Sequence, residues 1–451
     1  MKNFNFEDIE LKEKAREFTN LELNKNMLDG RFIAVNKKYL AMSWKSNGEI
    51  VLADSSKPCK IGYNHPHIKI IDSHYKIQDI EFSPFNDNIL ALAYDNRSVV
   101  LWKITERNKN ATKELSIYNK HKDKVNYVTF NPVVDNVLCS SDTNKEIHIW
   151  NLEKNDNYIT FNNNEISSMI SWNPNGDLVG VSPKNKFLKI YDPRNRNMVF
   201  NQKINEGYVS SKISWIDNNL LATTGWEDKN GSTMLKIWDL RKSLNGEEIY
   251  SIKINETRRN ISIPFINKDL KIIYAFESSK DRPKLYLFNY NENEIKKVKE
   301  YNLNEAFICS ALINREILDK KNKEIDRFAI CSNSEDNKNI QNISYSSFYL
   351  PKQSEISDSI LYPDKDKKIL SYEEWIEGKN PTIFENNNNK ETVNENDNNN
   401  DKNEFKNINK NEQTEKIINE KDKKIENGEK NVINEVNNEN NKLYNDLLNK
   451  N

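Results

Sequence analysis

Histidine and cysteine are the side chains with the widest chemical range in this 451-residue chain, and both are scarce. His65 and His67 flank a proline and form the one local pair with metal-ligand character. A structural zinc site normally takes four ligands, and no third one stands at a typical spacing, so we predict loop residues and no bound metal. The cysteines are widely scattered, form no CxxC pair and are expected to be small apolar residues of a reduced protein: Cys59, Cys139, Cys309 and Cys331.

Enzyme chemistry has little support in the sequence. There is no glycine-rich phosphate loop, no Gly-x-Ser-x-Gly elbow and no catalytic spacing of histidine and cysteine. We therefore expect no catalytic residues and no cofactor. The net charge of −1 favours neither nucleic acid nor a membrane as partner. No signal-peptide core or membrane-spanning apolar run is present, which predicts a cytoplasmic protein; peripheral membrane contact stays open.

A short apolar strand that ends in an aromatic residue recurs along the chain. The copies SVVLW, EIHIW, FLKIY, LKIWD and KLYLF carry Trp102, Trp150, Tyr191, Trp238 and Phe288, and a weaker copy, EIVLAD, lies near Ala53. The spacings of 49, 48, 41, 47 and 50 residues are typical of propeller blades. A second strand type, such as VNYVTFNP, precedes most copies. We predict an all-β, seven-bladed WD-repeat β-propeller over residues 18–355, with six blades as the alternative.

Two further histidines lie at a constant distance before the aromatic residue of their repeat. His74 precedes Trp102 by 28 residues, and His121 precedes Trp150 by 29. In WD repeats such a histidine joins an aspartate, a hydroxyl residue and the tryptophan in a buried hydrogen-bond chain. The usual aspartate position, six residues before the aromatic, holds asparagine in three repeats: Asn96, Asn144 and Asn185. Because charge-assisted bonds are the stronger ones, we expect packing to hold these blades more than this chain does.

The propeller needs a strand from the N-terminus to close its last blade, since closure removes two exposed sheet edges. FTNLEL, residues 18–23, is the candidate, and residues 1–17 are either a short amphipathic helix or an unanchored arm. The chain has only 11 glycines but abundant asparagine. We expect asparagine to fill many tight turns, because it tolerates left-handed backbone.

The C-terminal part divides into three segments. Residues 356–384 carry Tyr362, Leu370, Tyr372 and Trp375, which predict an extension docked on the propeller. Residues 385–412 are asparagine-rich and predict a disordered linker. Residues 413–450 predict a coiled coil that joins subunits, with a disordered tail as the alternative. Its apolar positions step by 7, 7, 4, 7 and 4: Ile418, Ile425, Val432, Val436, Leu443 and Leu447.

Three stretches together resemble the coronin family: RFIAVNKKYLAM, SIPFINKDLKIIYAFESSKD and LYPDKDKKILSYEEWIEGKNP. The third is the most specific, because WD-repeat proteins in general lack it. The resemblance implies a protein that binds and bundles actin filaments in the cytoplasmic cytoskeleton, including the cell cortex, for motility or membrane-associated processes. It also implies an extension along the bottom face and a C-terminal coiled coil.

One departure concerns the filament-binding surface. Coronins carry a basic residue important for filament binding just before the first blade, where this chain has Glu22; Lys25 keeps the family's second basic position. The surface is therefore expected to use neighbouring bases, and the candidates are Lys25, Arg31, Lys37, Lys38, Arg258 and Arg259. The competing function is a generic WD-repeat scaffold that docks peptides or protein complexes without binding actin. The extension motif favours the coronin interpretation.

Overall fold

The structure is a computed structural model, and it describes most of residues 5–385. The residues it leaves out within that range are 24–29, 46–47, 64, 106–111, 185, 205–210, 228–230, 243–246, 256–259, 262, 279–282, 292–293, 304–306, 335–336, 338, 353, 355, 363–364, 368 and 382. Three of the basic candidates, Lys25, Arg258 and Arg259, therefore lie outside the described residues. So do Asn185, nearly all of the predicted linker, and the predicted coiled coil with its six apolar positions.

The chain begins with strand β1, Glu10–Leu21, which belongs to the last blade. Blades one to three then follow in sequence order, each a four-stranded antiparallel sheet. Their strands, from the innermost to the outermost of each blade, are β2 Ile33–Val35, β3 Tyr39–Trp44, β4 Glu49–Asp54, β5 Ile68–Asp72; β6 Ile77–Phe82, β7 Ile89–Tyr94, β8 Val99–Ile104, β9 Thr112–Tyr118; β10 Val125–Phe130, β11 Val137–Asp142, β12 Glu146–Asn151, β13 Asp156–Asn162.

Blades four to six continue the pattern. In blade six the innermost position is divided between two short strands, β22 and β23, which both pair with β24. The strands are β14 Ser167–Trp172, β15 Val179–Pro183, β16 Phe187–Asp192, β17 Asn197–Lys203; β18 Lys212–Trp215, β19 Leu220–Trp226, β20 Thr233–Asp239, β21 Glu247–Asn255; β22 Asn260–Ile261, β23 Phe265–Asn267, β24 Ile272–Ser278, β25 Lys284–Tyr290, β26 Ile295–Asn302.

The seventh blade combines the first strand of the described chain with the three strands that precede the extension. Its inner strands are β27 Phe307–Leu312, β28 Glu324–Asn333 and β29 Gln341–Tyr349, and β1 pairs antiparallel with β29 on the outside. The prediction of seven blades is confirmed, and so is closure by an N-terminal strand. The strand begins at Glu10, however, so the interpretation of residues 1–17 as a helix or a loose arm is wrong for residues 10–17; residues 1–4 lie outside the described residues. Ile9 and Phe18 are both fully buried, which explains why this segment is anchored.

Burial differs between the middle and the outer strands of a blade. Every residue of β12 is buried, whereas β13 beside it is mostly exposed or half-buried. A strand covered on both faces reads as a nearly continuous apolar run, and an outer strand does not need one. This is why the sequence shows its clearest repeat at the third strand of each blade.

Asparagine stabilises the turns mainly through its side chain, and not through the left-handed backbone that we predicted. Of ten non-glycine residues with positive φ in the described part, only three are asparagine, and six are lysine or arginine. Asparagine side chains instead accept backbone N–H groups inside the turns. Asn36 Oδ1 accepts from Lys38 N at 2.9 Å and from Tyr39 N at 2.8 Å, for example. The side chain therefore satisfies the turn without a left-handed backbone at the asparagine.

The segment after blade seven lies against the ends of several blades. It contains helix α1, Asp358–Leu361, helix α2, Tyr372–Ile376, and two short paired strands, β30 Lys365–Lys367 and β31 Ile383–Glu385. Three short 3-10 helices complete the described elements: Phe6–Asp8, Arg315–Ile317 and Lys320–Asn322.

Two separate contacts hold the extension. Leu361 is buried near blades six and seven, where the Tyr362 hydroxyl donates to the Glu324 carbonyl at 2.7 Å. Farther on, the Leu370 N–H donates to the Val133 carbonyl at 2.9 Å, and Trp375 is fully buried against blades three and four. The extension thus connects distant blades across one end of the propeller, which we call the extension end.

Trp375 sits in a site that its neighbours define closely. Its indole N–H donates to the Gly176 carbonyl at 2.8 Å, and a capping box between Ser371 and Glu374 fixes the start of helix α2. Gly176 has a φ of +69°, and a Cβ there would lie 2.3 Å from the Asn131 Oδ1 atom. Only glycine fits this turn, so the carbonyl that receives Trp375 depends on it.

We expect Trp375→Ala to lower the free energy of unfolding by about 3–5 kcal/mol, the usual cost of removing a large buried aromatic side chain. Ile369→Ala is the matched control, because Ile369 is 54% exposed in the same segment. Urea denaturation of both full-length variants measures the difference. Equal stabilities for the two would show that the extension adds nothing to the propeller.

Candidate functional site

Blade three contains the buried hydrogen-bond chain that the sequence suggested, but with a different carboxylate. His121 Nδ1 lies 3.0 Å from Asp142 Oδ2, and His121 Nε2 lies 2.6 Å from Ser140 Oγ. The Trp150 indole N–H donates to the same hydroxyl at 2.7 Å. Asp142, two positions before Asn144, takes the place in the chain that the sequence assigned to Asn144, so that assignment is wrong. The backbone turn brings Asp142 to the histidine.

The other repeats use other partners. His74 is 82% exposed and contacts Asp72 alone among the described groups, so its expected role in blade two is wrong. There the Trp102 indole N–H donates to the Tyr94 hydroxyl at 3.2 Å. In blade four the Tyr191 hydroxyl donates to Asn163 Oδ1 at 3.0 Å, with asparagine in place of histidine.

A second histidine lies beside the blade-three chain. The His148 and His121 rings are 4.0 Å apart, and His148 Nε2 lies 3.2 Å from Glu146 Oε2. Donor atoms of His121, Asp142 and His148 lie within 4.8 Å of one another, so the group has metal-ligand composition. Both His121 nitrogens already form hydrogen bonds, to Asp142 and Ser140. We therefore interpret His121, Asp142 and His148 as part of the core of the blade. Burial, together with the charge of His121, lowers the pKa of His148 to about 4.

The described basic candidates occupy different environments. Arg31 donates to Asp79 Oδ2 at 2.7 Å and to Glu81 Oε1 at 2.5 Å, and its guanidinium also bonds to the Val128 carbonyl. Burial disfavours this charge, but the two carboxylates raise the Arg31 pKa above its ordinary value. Arg31 therefore ties together the inner strands of blades two and three. Its charge is balanced by these two carboxylates inside the propeller.

Lys37 and Lys38 lie in the turn between β2 and β3, which is at the extension end. The Lys37 ammonium forms an ion pair with Glu316, in the connection between β27 and β28. Both lysines are exposed. An exposed ion pair contributes little stability, so Lys37 remains able to exchange Glu316 for another acid.

A basic residue missed by the sequence reasoning lies directly beside Glu22. The Lys45 backbone N–H donates to the Glu22 carbonyl at 2.6 Å, and the Lys45 ammonium lies 4.3 Å from the centre of the Trp44 ring. The ammonium also donates to the Tyr63 hydroxyl at 2.9 Å, and that hydrogen bond is the main reason its pKa is raised. We call Glu22, Trp44, Lys45 and Tyr63 the Lys45 surface.

The Lys45 surface has features of a binding site. Tyr63 is 53% exposed and packs 4.7 Å from Trp44, while the Trp44 indole nitrogen is buried without a hydrogen-bond partner in the described structure. Lys45 has a φ of +55°, which is strained for a residue with a side chain. It lies in the turn between β3 and β4, at the end of the propeller opposite the extension. Only the turn at residues 45–48 and the apolar Trp44 hint at it in the sequence.

Comparison with known proteins finds similar sequences over most of this chain. Residues 9–60 match a family model described as a domain of unknown function, DUF1899. A coronin-like protein of Saccharomyces cerevisiae is 23% identical over 384 residues, which cover 81% of this chain and 57% of the relative. The coronin-like protein crn1 of Schizosaccharomyces pombe is 23% identical, covering 80% of this chain and 60% of the relative. Bovine coronin-2A is 22% identical, with 80% and 69% covered.

The chain resembles proteins named coronin over about 80% of its length. It spans less than two thirds of the length of the two yeast coronin-like relatives. The WD40 domain of Toxoplasma gondii coronin superposes with a TM-score of 0.74 at 23% identity, covering 84% of this chain and 96% of that domain. A chain of the mitotic checkpoint complex gives 0.55 at 13% identity, covering 78% and 97%. Both structural matches show the propeller fold. None of the helices in the described ranges has the length and apolarity of a membrane span.

We expect His121→Ala to reduce the free energy of unfolding by about 3 kcal/mol, since it leaves Asp142 and Ser140 buried without their partner. His74→Ala should change it by less than about 0.5 kcal/mol, because that side chain is exposed. Chemical denaturation at pH 7 compares the two variants. A His74 variant that loses as much stability as the His121 variant would contradict this assignment.

Stability should also depend on pH through His148. Its pKa is about 4 in the folded chain, compared with about 6.5 in an unfolded one. Between these pH values the unfolded chain binds a proton that the folded chain does not, so stability falls as the pH is lowered. We expect a loss of about 3 kcal/mol from this group. His148→Gln should remove most of that loss and His74→Gln none of it, as measured by urea denaturation from pH 7 to pH 4.

Proposed function

We propose that this protein binds actin filaments and joins them into bundles in the cytoplasmic cytoskeleton. The observation that carries the proposal is the similarity to proteins named coronin over about 80% of the chain. The extension supports it, because its most specific motif is also the segment that buries Trp375 and Leu370 on the propeller. The role is one of binding, not of catalysis.

The filament surface is proposed at the end of the propeller opposite the extension. Lys45 lies there, next to the Glu22 position at which coronins carry a base, so it supplies a positive charge where the sequence appeared to lack one. Lys25 follows Glu22 closely in sequence, and Arg258 and Arg259 lie in the chain between β21 and β22.

Chemistry favours this end for a filament partner. Actin is acidic on its exposed face, and exposed lysine and arginine attract such a surface with a strength that salt reduces. Tyr63, which is 53% exposed, adds an aromatic side chain of a type that often dominates binding energy. At the extension end, by contrast, the extension itself covers part of the surface, where Leu370 and Trp375 are buried.

Charge reversal distinguishes the two ends. We expect Lys45→Glu, and separately the combination of Lys25→Glu, Arg258→Glu and Arg259→Glu, to weaken co-sedimentation with filamentous actin at least about tenfold, since like charges then face each other. Lys37→Glu with Lys38→Glu is the control at the extension end and should bind normally. Each variant is checked for unchanged circular dichroism.

Two results would contradict this proposal in different ways. Loss of binding only in the Lys37 and Lys38 variant would move the filament surface to the extension end. Absence of co-sedimentation by the unaltered protein at low salt would remove actin binding itself and favour a scaffold for other proteins.

Bundling requires two filament sites in one particle, and self-association through residues 413–450 would provide them. We expect the full chain to be a dimer or trimer by light scattering, and a chain ending at Asn386, the limit of the compact unit, to be a monomer. The shortened chain should still bind filaments but no longer bundle them in low-speed sedimentation. Leu443→Asp with Leu447→Asp in the full chain should have the same effect. A full chain that is monomeric at tens of micromolar would contradict the coiled coil.

A further inference from the structure

Two cysteines that are far apart in sequence are direct neighbours in the seventh blade. Cys309 on β27 and Cys331 on β28 are opposite each other in the antiparallel register. Opposite residues of such a pair point to the same face of the sheet. Consistent with this, both side chains contact one apolar cluster, which includes Ile313 and Ile343. Cys331 is fully buried, whereas Cys309 is only partly buried.

The backbone spacing of such a pair suits a disulfide. Opposite Cα atoms in an antiparallel ladder are about 4.5 or 5.5 Å apart, and both values fall within the roughly 4.4–6.8 Å that disulfides span. The Cβ atoms of opposite residues are about 4.5–5.5 Å apart, slightly more than the roughly 3.5–4.5 Å of a relaxed disulfide. A bond here would therefore form without rearranging the strands but under some strain, and strained disulfides are the easily reduced ones.

We propose that Cys309 and Cys331 form a reversible thiol–disulfide site for oxidants of the peroxide class. The Cys309 thiolate attacks one peroxide oxygen, the O–O bond breaks, and a sulfenic acid and water result. The Cys331 sulfur then attacks the Cys309 sulfur, and the hydroxyl leaves as a second water. Two thiols are oxidised and one peroxide is reduced to two waters. A dithiol reductant reverses the reaction by thiol–disulfide exchange.

Exposure explains the order of these steps. Oxidation follows thiolate character and access, and Cys309 is the accessible partner. Cys331 lies opposite it on the neighbouring strand, in position to resolve the sulfenic acid before further oxidation. The bond would join the two innermost strands of the blade that closes the ring, and would enclose the segment between β27 and β28. Such a link restricts the unfolded chain and so favours the closed propeller.

The two remaining cysteines provide the comparison. Cys139 is fully buried in blade three, and burial raises its pKa well above the ordinary value. Cys59 is partly buried at the edge of the same apolar cluster as the pair, and burial raises its pKa as well. Neither is opposite another cysteine in the sheet registers.

The test uses the full chain with Cys59→Ser and Cys139→Ser, which leaves only the pair. Treatment with hydrogen peroxide, alkylation and tryptic digestion without reductant should yield one new linked peptide, since trypsin cuts at Arg315 and Arg327 between the two cysteines. Dithiothreitol should restore both thiols, and the oxidised chain should melt at a higher temperature than the reduced one. Adding Cys309→Ser should abolish the linked peptide and the shift, with unchanged circular dichroism.

Three outcomes would contradict the proposed thiol–disulfide site. If both thiols are still alkylated after peroxide treatment, or Cys309 proceeds to sulfinic acid with no linked peptide, the site is overturned. The same holds if the unaltered protein links Cys309 to Cys59 instead of to Cys331. None of these readouts depends on actin binding.

Discussion

Closure of the ring by β1 is the interaction on which the rest of the propeller depends. Strand β29 would otherwise present an unpaired backbone edge, and each unmade buried hydrogen bond costs free energy. The N-terminal strand supplies those partners, and Ile9, Phe18 and Leu21 anchor it by complete burial. Every blade then has two neighbours, which makes the ring one cooperative unit rather than a row of seven small sheets. The Lys45 surface and the pair of Cys309 and Cys331 both depend on that unit for a fixed geometry.

Charges within the propeller are used in two distinct ways. Arg31 is held by Asp79 and Glu81 among inner strands, where its removal would leave carboxylates unpaired. Lys45 reaches the surface between aromatic rings, where its charge remains available to a partner. The two residues lie in the same region of the sequence, and both are basic. Their different roles follow from Asp79 and Glu81 of blade two. These carboxylates form ion pairs with Arg31 and not with Lys45.

Prediction from the sequence succeeded where one strand pattern repeats and failed where a contact joins distant positions. The third-strand repeat indicated the blades, because a strand covered on both faces carries apolar side chains at most of its positions. Asp142 was missed because a turn, not the usual spacing, brings it to His121. His74 has the right spacing, but its side chain points to solvent. Lys45 was not predicted because its contact with Glu22 depends on the tertiary structure. It forms only when β1 pairs with β29 in the last blade.

Because blade seven joins β1 to strands about 300 residues later in the chain, it also determines when folding can finish. Leu21 of β1 pairs with Gln341, so about 320 residues must be synthesised between the two partners. At typical rates of roughly 5–20 residues per second, β1 waits for some tens of seconds on a ribosome before its partner exists. During that time its apolar residues and strand edge are exposed to other chains. Nascent propellers of this kind therefore depend on protection from aggregation until the last blade emerges.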